Sequence, residues 1–270
     1  MIYAMSDIHG YLDILKRNMD LIHFRPETDR LILLGDYIDY GPESGQTLHY
    51  IYALQREYGE DRVVCLKGNH EAMLLEWLKI YQNANYNSAD HFYDYSDWLL
   101  NDSDADFITF RTLVTVRQYE VFEMVAKKAS ALTCNIEAAR LVAEENEELI
   151  RWLKDLPVYF ETEHAIYVHA GIDEEAGDLW KIGTEESVFL WKFPPTKGHF
   201  IKTIIAGHTG TGSRYLANDR DYHDIYYDGE SHYFIDGSTC NSGSIPILAY
   251  DEWEGEYYSI DQSGNRRRII

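Results

Sequence analysis

Five short apolar runs in this chain each end on aspartate, histidine or asparagine beside a glycine, and that pairing constrains the fold more than any other feature. The runs Ile2–Met5, Arg30–Leu34 and Arg62–Leu66 lead into Asp7-Ile8-His9-Gly10, Gly35-Asp36-Tyr37-Ile38-Asp39-Tyr40-Gly41 and Gly68-Asn69-His70-Glu71. Further along, Ala165–Val168 delivers His169-Ala170-Gly171, and Thr203–Ala206 delivers Gly207-His208-Thr209. The first three runs are followed by Tyr11–Ile22, Ser44–Arg56 and Ala72–Ile80, where apolar residues recur at helical spacing. Alternation of strand and helix at this pitch predicts right-handed crossovers and a largely parallel sheet, hence an α/β protein. Tyr233–Ile235 and Ile247–Tyr250 read as two more strands.

Open α/β sheets bind ligands outside the carboxyl ends of their strands. Five strands would therefore aim Asp, His and Asn at one rim, with glycines that let the backbone turn sharply. Any one of these motifs alone is also what a helix cap, a hydrogen-bonded histidine or a turn would leave. Together they form an oxygen and nitrogen ligand set suited to manganese, iron or zinc rather than to thiolate-seeking metals. Two metals a few ångströms apart need one bridging carboxylate, and Asp36 is central enough to serve. Such a site can generate hydroxide from water and clamp a phosphoryl group during in-line displacement.

Charge narrows the substrate. The chain carries 24 Lys and Arg against 46 Asp and Glu, a formal net charge of −22. That surface repels a phosphate backbone and argues against an extended nucleic-acid groove, although bound cations can invert the local field for a small phosphorylated substrate. No apolar run approaches the ~20 residues needed to span a bilayer, so no membrane partner is expected. The first residues show neither a basic region nor a long apolar stretch, and the three cysteines have no motif spacing. A reducing cytoplasm is the expected location, with Cys65 a buried core thiol. Oligomeric state is not legible.

Residues from about 81 to 157 break the alternation. A Tyr-, Asn- and Asp-rich part comes first, then helical patterning that ends in the acidic run Glu144–Glu148 and Pro157. This reads as a helical cap or insertion within one domain spanning 1–270. The tail, with arginines at 266–268, reads as a solvated terminus.

In their order and residue types, the motifs Asp7-x-His9-Gly10, Gly35-Asp36-x-x-Asp39-x-Gly41, Gly68-Asn69-His70-Glu71, His169-Ala170-Gly171 and Gly207-His208 resemble those of the calcineurin-like metallophosphoesterases. The resemblance is to the phosphoprotein phosphatase branch, which includes bacterial and phage Ser/Thr phosphatases and the symmetrical diadenosine tetraphosphate hydrolases. Phe234–Gly237 resembles the family's closing strand. The likeness implies a β-sandwich of two mixed sheets flanked by helices, and two divalent ions, manganese first, with iron or zinc as alternatives. It implies that Asp7 and His9 hold one metal, that Asp36 bridges, and that Asn69, His169 and His208 hold the second. His70 would protonate the leaving oxygen, oriented and kept cationic by Asp39, and Asn69 would also meet a phosphate oxygen. An imidazole beside a carboxylate does keep its proton near neutrality. Glu71 would favour the dipole of the following helix.

The chain departs from the family at two places. Tyr40 stands where the family has a phosphate-binding arginine, and Lys192 follows Trp191 where a second arginine is usual. Lysine supplies charge without a bidentate fork, and tyrosine offers one neutral hydroxyl or simply packs. Tyr40 and Lys192 are therefore substrate-side candidates in a phosphate pocket poor in guanidinium. The other histidines, among them His91 and His232, read as structural or exposed, and the tyrosine-rich stretches 81–95 and 222–233 as packing or a groove wall. The expected activity is a phosphomonoesterase acting on phosphoprotein, phosphopeptide or a small phosphoester. Hydrolysis of dinucleoside polyphosphates is the alternative, and a metal-binding regulator without turnover is a third reading.

Overall fold

The structure, a computed structural model, describes residues 1–82 and 107–270. The tyrosine-rich stretch beyond residue 82 and His91 lie outside the described residues. Among the described residues, eleven strands form two sheets. β1 (Ile2–Met5), β2 (Arg30–Leu33) and β3 (Val63–Cys65) run parallel in the first, and β9 (Ile247–Asp251), β10 (Glu256–Ile260) and β11 (Arg266–Arg268) extend it antiparallel from β1. In the second sheet β5 (Ala165–Val168), β6 (Thr203–Ala206) and β8 (His232–Phe234) are parallel, flanked by antiparallel β4 (Tyr159–Glu161) and β7 (Tyr226–Tyr227). The two mixed sheets with flanking helices are the expected architecture, whereas the largely parallel sheet inferred from alternation holds only for the centre of each.

Side-chain alternation explains why the strands are apolar on both faces. Ile2, Ala4, Ile32, Leu34 and Val64 meet Ala165, Tyr167, Ile205 and Tyr233 between the sheets. Their neighbours Tyr3, Met5, Leu31, Leu33, Val63 and Cys65 face the opposite way, toward the helical layer. Strands covered on both sides need continuous apolar runs. The helical layer includes α1 (Leu12–Ile22), α2 (Ser44–Tyr58) and α3 (Asn69–Gln82), and α4 (Val116–Ala126), α5 (Ala131–Glu145) and α6 (Glu147–Asp155) add to it. Phe110, Phe122, Ala138 and Leu149 join the same core. Cys65 is buried as expected.

Two local readings change. The arginine tail is an edge strand paired with β10, where Arg266 meets Asp251 at 3.0 Å and Arg268 and Arg267 pair with Glu256 and Asp224. Its register comes from a partner backbone, which composition does not display, and its charges blunt an exposed sheet edge. Helix α3 begins at Asn69 rather than near Ala72, so Asn69, His70 and Glu71 form its first turn. None of the helices among the described residues is long and apolar enough to cross a membrane.

Candidate metal centre

The polar turns converge at the carboxyl ends of β1, β2, β3, β5 and β6. Six of their non-glycine residues, Asp7, His9, Asp36, Asp39, Tyr40 and His208, adopt positive φ between 49° and 72°. L-residues reach that region at a cost, and such strain concentrates where side chains must be aimed. Glycine supplies the remaining space: a Cβ on Gly68 would lie 2.2 Å from Asp36 Oδ1, and one on Gly207 would lie 2.2 Å from Asp7 Oδ2.

Asp36 sits in the middle. Its carboxylate is 3.8 Å from His9 Nε2, 3.8 Å from His70 Nε2 and 3.4 Å from His169 Nε2. Among the described residues, two candidate ligand groups share it, one with His9 and His70 and one with His169 and His208, each with donor atoms within 4.8 Å of one another. Asn69 Oδ1 joins the second group, 2.7 Å from His169 Nε2 and 3.0 Å from His208 Nδ1. Burial works to raise the pKa of Asp36, but the imidazoles of His169, His70, His9 and His208 together hold its carboxyl below the ordinary range.

The tautomers show what the site is built to hold. His169 Nδ1 lies 2.9 Å from the carbonyl of Leu34, and His9 Nδ1 lies 2.8 Å from that of Ile38. A carbonyl only accepts, so each Nδ1 carries the hydrogen. Burial lowers the pKa of both rings, which keeps them neutral and leaves Nε2 as a bare lone pair. The His169 lone pair then faces the Asn69 carbonyl oxygen and Asp36, an arrangement of acceptors that is repulsive until a cation sits among them. Orienting a ligating imidazole through its other nitrogen is how metal sites are commonly supported. Burial, with neighbouring His169, likewise drives His208 down to about 4. The buried carboxylates Asp7, Asp36 and Asp236 add to the demand for positive charge. The donor set fits divalent metal ions.

His70 differs from the rings held neutral with a bare Nε2. Its Nδ1 is 2.6 Å from Asp39 Oδ2 while Nε2 faces Asp36, and its backbone N–H donates to Asp36 Oδ1 at 3.1 Å. Burial opposes protonation, but Asp36 and then the hydrogen-bonded Asp39 push the ring up to about 9. The tyrosine that replaces the family arginine lies on the rim. The Tyr40 ring is 4.9 Å from His9 and 5.4 Å from His70, edge to face, and 57% of the residue is exposed.

Other named residues have partners of their own. Asp7 belongs to neither three-residue group: both its oxygens accept the backbone N–H of His208, at 3.1 and 3.2 Å, and burial with Asp236 nearby raises its pKa well above normal. Lys192 is not left free for phosphate. Its ammonium pairs with Glu174 and the carbonyl of Ile172, in a network where Glu174 also lies 3.6 Å from His232. Lysine pairs with whichever carboxylate the fold places closest, and Glu174 is supplied by the turn that follows the His169 strand. Glu71 is more than a helix-dipole partner. It is fully buried, and its carboxylate accepts the backbone N–H groups of Asp36 (2.9 Å), Tyr37 (2.7 Å) and Gly68 (3.0 Å), clamping two site loops together. Asp236 has no role in the sequence reading, although it lies inside Phe234–Gly237, the expected closing strand. Burial raises it to about 6.

Two mixed sheets that present buried Asp, Asn and His at one rim define a metal-binding hydrolase of the metallophosphoesterase class. The model of the calcineurin-like phosphoesterase family matches residues 1–212, and the chain belongs to that family. Over 74 residues it is 42% identical to a symmetrical bis(5'-nucleosyl)-tetraphosphatase of Pseudomonas syringae pv. syringae (strain B728a), covering 27% of this chain and 24% of that protein. A protein of the same description from Pseudomonas fluorescens (strain SBW25) is 45% identical over 73 residues, again 24% of its length. The match thus spans about a quarter of these relatives. Among solved structures, the cold-active protein-tyrosine phosphatase of a psychrophilic Shewanella species superimposes with a TM-score of 0.56 at 16% identity, covering 100% of this chain and 80% of that one. That likeness is one of fold.

Proposed function

We propose that this chain is a phosphomonoesterase of the protein-phosphatase kind, acting with two divalent cations that share Asp36. The observation that carries the reading is the Asp39–His70 pair at 2.6 Å, which leaves the ring's Nε2 facing the Asp36 carboxylate at 3.8 Å. Bound divalent ions supply Lewis acidity toward phosphoryl oxygens and a nucleophile at neutral pH. The protein's part is positional. Asp36 and His9 would serve one ion with Asp7 close behind, and Asp36, Asn69, His169 and His208 the other. Asp39 holds the Nδ1 hydrogen of His70, so the Nε2 proton points at the departing oxygen. As the phosphorus–oxygen bond breaks, that proton moves to the leaving group and the alcohol departs neutral. With cations neutralising Asp36, Asp39 becomes the chief support for the imidazolium. Manganese is the proposed metal, and the cytoplasm the proposed location.

Hydrolysis of dinucleoside polyphosphates is the second reading, favoured by the 42% identity to symmetrical tetraphosphatases over 74 residues. Against it, a polyphosphate chain brings several negative charges to a chain of net charge −22, and Lys192, the cation the sequence offered, is held by Glu174. Assays of the manganese-loaded protein with para-nitrophenyl phosphate, a phosphopeptide and diadenosine tetraphosphate separate the readings. A kcat/KM highest for the phosphopeptide supports the first. Faster turnover of the dinucleotide replaces it with the second. Turnover of none, with metal bound, leaves a metal-binding regulator.

A further inference from the structure

Asp39 is itself held by two hydroxyls that no sequence motif singles out. Thr109 Oγ1 donates to Asp39 Oδ1 at 2.7 Å, the carboxylate oxygen that does not meet His70. The Asp39 backbone N–H donates to Ser44 Oγ at 3.0 Å, and Ser44 Oγ lies 3.3 Å from Thr109 Oγ1. A carboxylate only accepts, so the single Thr109 hydrogen goes to Asp39. Ser44 must then give its own hydrogen to Thr109 and accept from the Asp39 backbone. The donors run one way around a closed ring, and both Ser44 and Thr109 are fully buried. Rings of this kind are rigid because each bond polarises the next.

The ring also ties two parts of the fold together. Thr109 leads into the single turn Phe110–Thr112 that precedes α4, while Ser44 opens α2. Thr112 Oγ1 accepts the Gly45 N–H at 2.9 Å and donates to the Thr109 carbonyl at 2.7 Å. The approach is so close that a Cβ on Gly45 would lie 2.1 Å from the Thr112 carbonyl oxygen. Asp39 meanwhile holds a φ of 72°, a conformation that needs such support.

We infer that Thr109, seated by Ser44, is a positioning residue: it fixes the plane of the Asp39 carboxylate and thereby aims the His70 proton at the leaving group. The inference rests on the acid role proposed for His70. Its test is the dependence on leaving group, which a purely structural residue would not alter. Thr109→Val, nearly isosteric, is expected to lower kcat on phenyl phosphate about 10-fold, a part of what a positioned acid supplies, and on 2,4-dinitrophenyl phosphate by less than about 3-fold. KM and metal content should stay near wild type, and Thr109→Ser should restore most of the rate. Equal losses on both substrates, or no loss on phenyl phosphate, would overturn the inference. Should Thr109→Val not fold, Ser44→Ala breaks the same ring and is expected to show the same leaving-group dependence, with the same refuting results. His70→Asn runs alongside. If it loses nothing on phenyl phosphate, the acid role itself fails; if it loses rate and the ring variants do not, only the role of Thr109 fails.

Discussion

Replacing Glu71 by glutamine removes one charge and rearranges three hydrogen bonds. Glu71 Oε2 accepts from Asp36 N at 2.9 Å and Gly68 N at 3.0 Å, and Oε1 accepts from Tyr37 N at 2.7 Å. A glutamine can keep its carbonyl oxygen toward the first pair, and its NH2 then opposes the Tyr37 N–H, donor against donor. A buried amide left without a partner costs about 1–3 kcal/mol, and the two surviving bonds fall from charge-assisted to neutral strength, losing roughly 1 kcal/mol each. One effect runs the other way. Burial, with repulsion from Asp36, raises Glu71 to about 7, so removing its charge relieves some cost. The net expectation is a loss of roughly 2–4 kcal/mol, or a fall in Tm of roughly 5–15 °C for a chain of this size. Urea denaturation of chelator-treated protein measures it without interference from metal binding. Metal affinity should fall as well, because the clamp sets the backbone of Asp36. A variant within about 0.5 kcal/mol of wild type, the range of an ordinary surface substitution, would refute the clamp.

His70→Asn should lower kcat by about 10²–10⁴ with metal content unchanged, as measured by steady-state kinetics and elemental analysis; loss of metal would make it a ligand instead. Asp36→Asn should weaken both metal sites together, while Asp7→Asn should weaken chiefly one, read by titration with manganese. Tyr40→Arg should lower KM for small phosphomonoesters and tighten inhibition by free phosphate, since a guanidinium offers two charge-assisted bonds where tyrosine offers one neutral hydroxyl; an unchanged KM would mean that position 40 does not face the phosphate. In metal-free protein His70 is raised to about 9, so the stability it contributes is fully present below its unfolded value of about 6.5 and is lost as pH rises through 9. Across that window wild type should lose stability relative to His70→Asn, and parallel curves would contradict the raised pKa.

Much of the fold was written locally. The central strands and the helices after them follow from apolar runs and helical spacing, and β1, β5 and β6 occupy the residues their patterns predicted. Strands such as β4, β7 and β11 are short or polar, and they exist because a neighbour offers a ladder of hydrogen bonds. At the site, Asp36, Asn69, His169 and His208 converge as their motifs implied, and Asp39 meets His70. Those groups were legible because each follows directly on a strand, so that fixing the strand order fixes their meeting point.

Partners that arrive from elsewhere in the chain were not legible. Lys192 reads in sequence as a phosphate cation, yet Glu174, 18 residues earlier, takes its charge. Glu71 reads as a helix-dipole residue, yet it reaches 35 residues back to the Asp36 backbone. Thr109 lies 70 residues from the carboxylate it holds, in a segment whose composition says nothing about catalysis. The sequence by itself determined which atoms can bind metal and which strand ends carry them, because strand period and glycine turns act over a few residues. Only the tertiary structure decided which carboxylate joins the two loops, which lysine is paired and which hydroxyl reaches Asp39. Those choices depend on distances between segments far apart in the chain, and a buried polar group takes whichever partner folding leaves within about 3 Å.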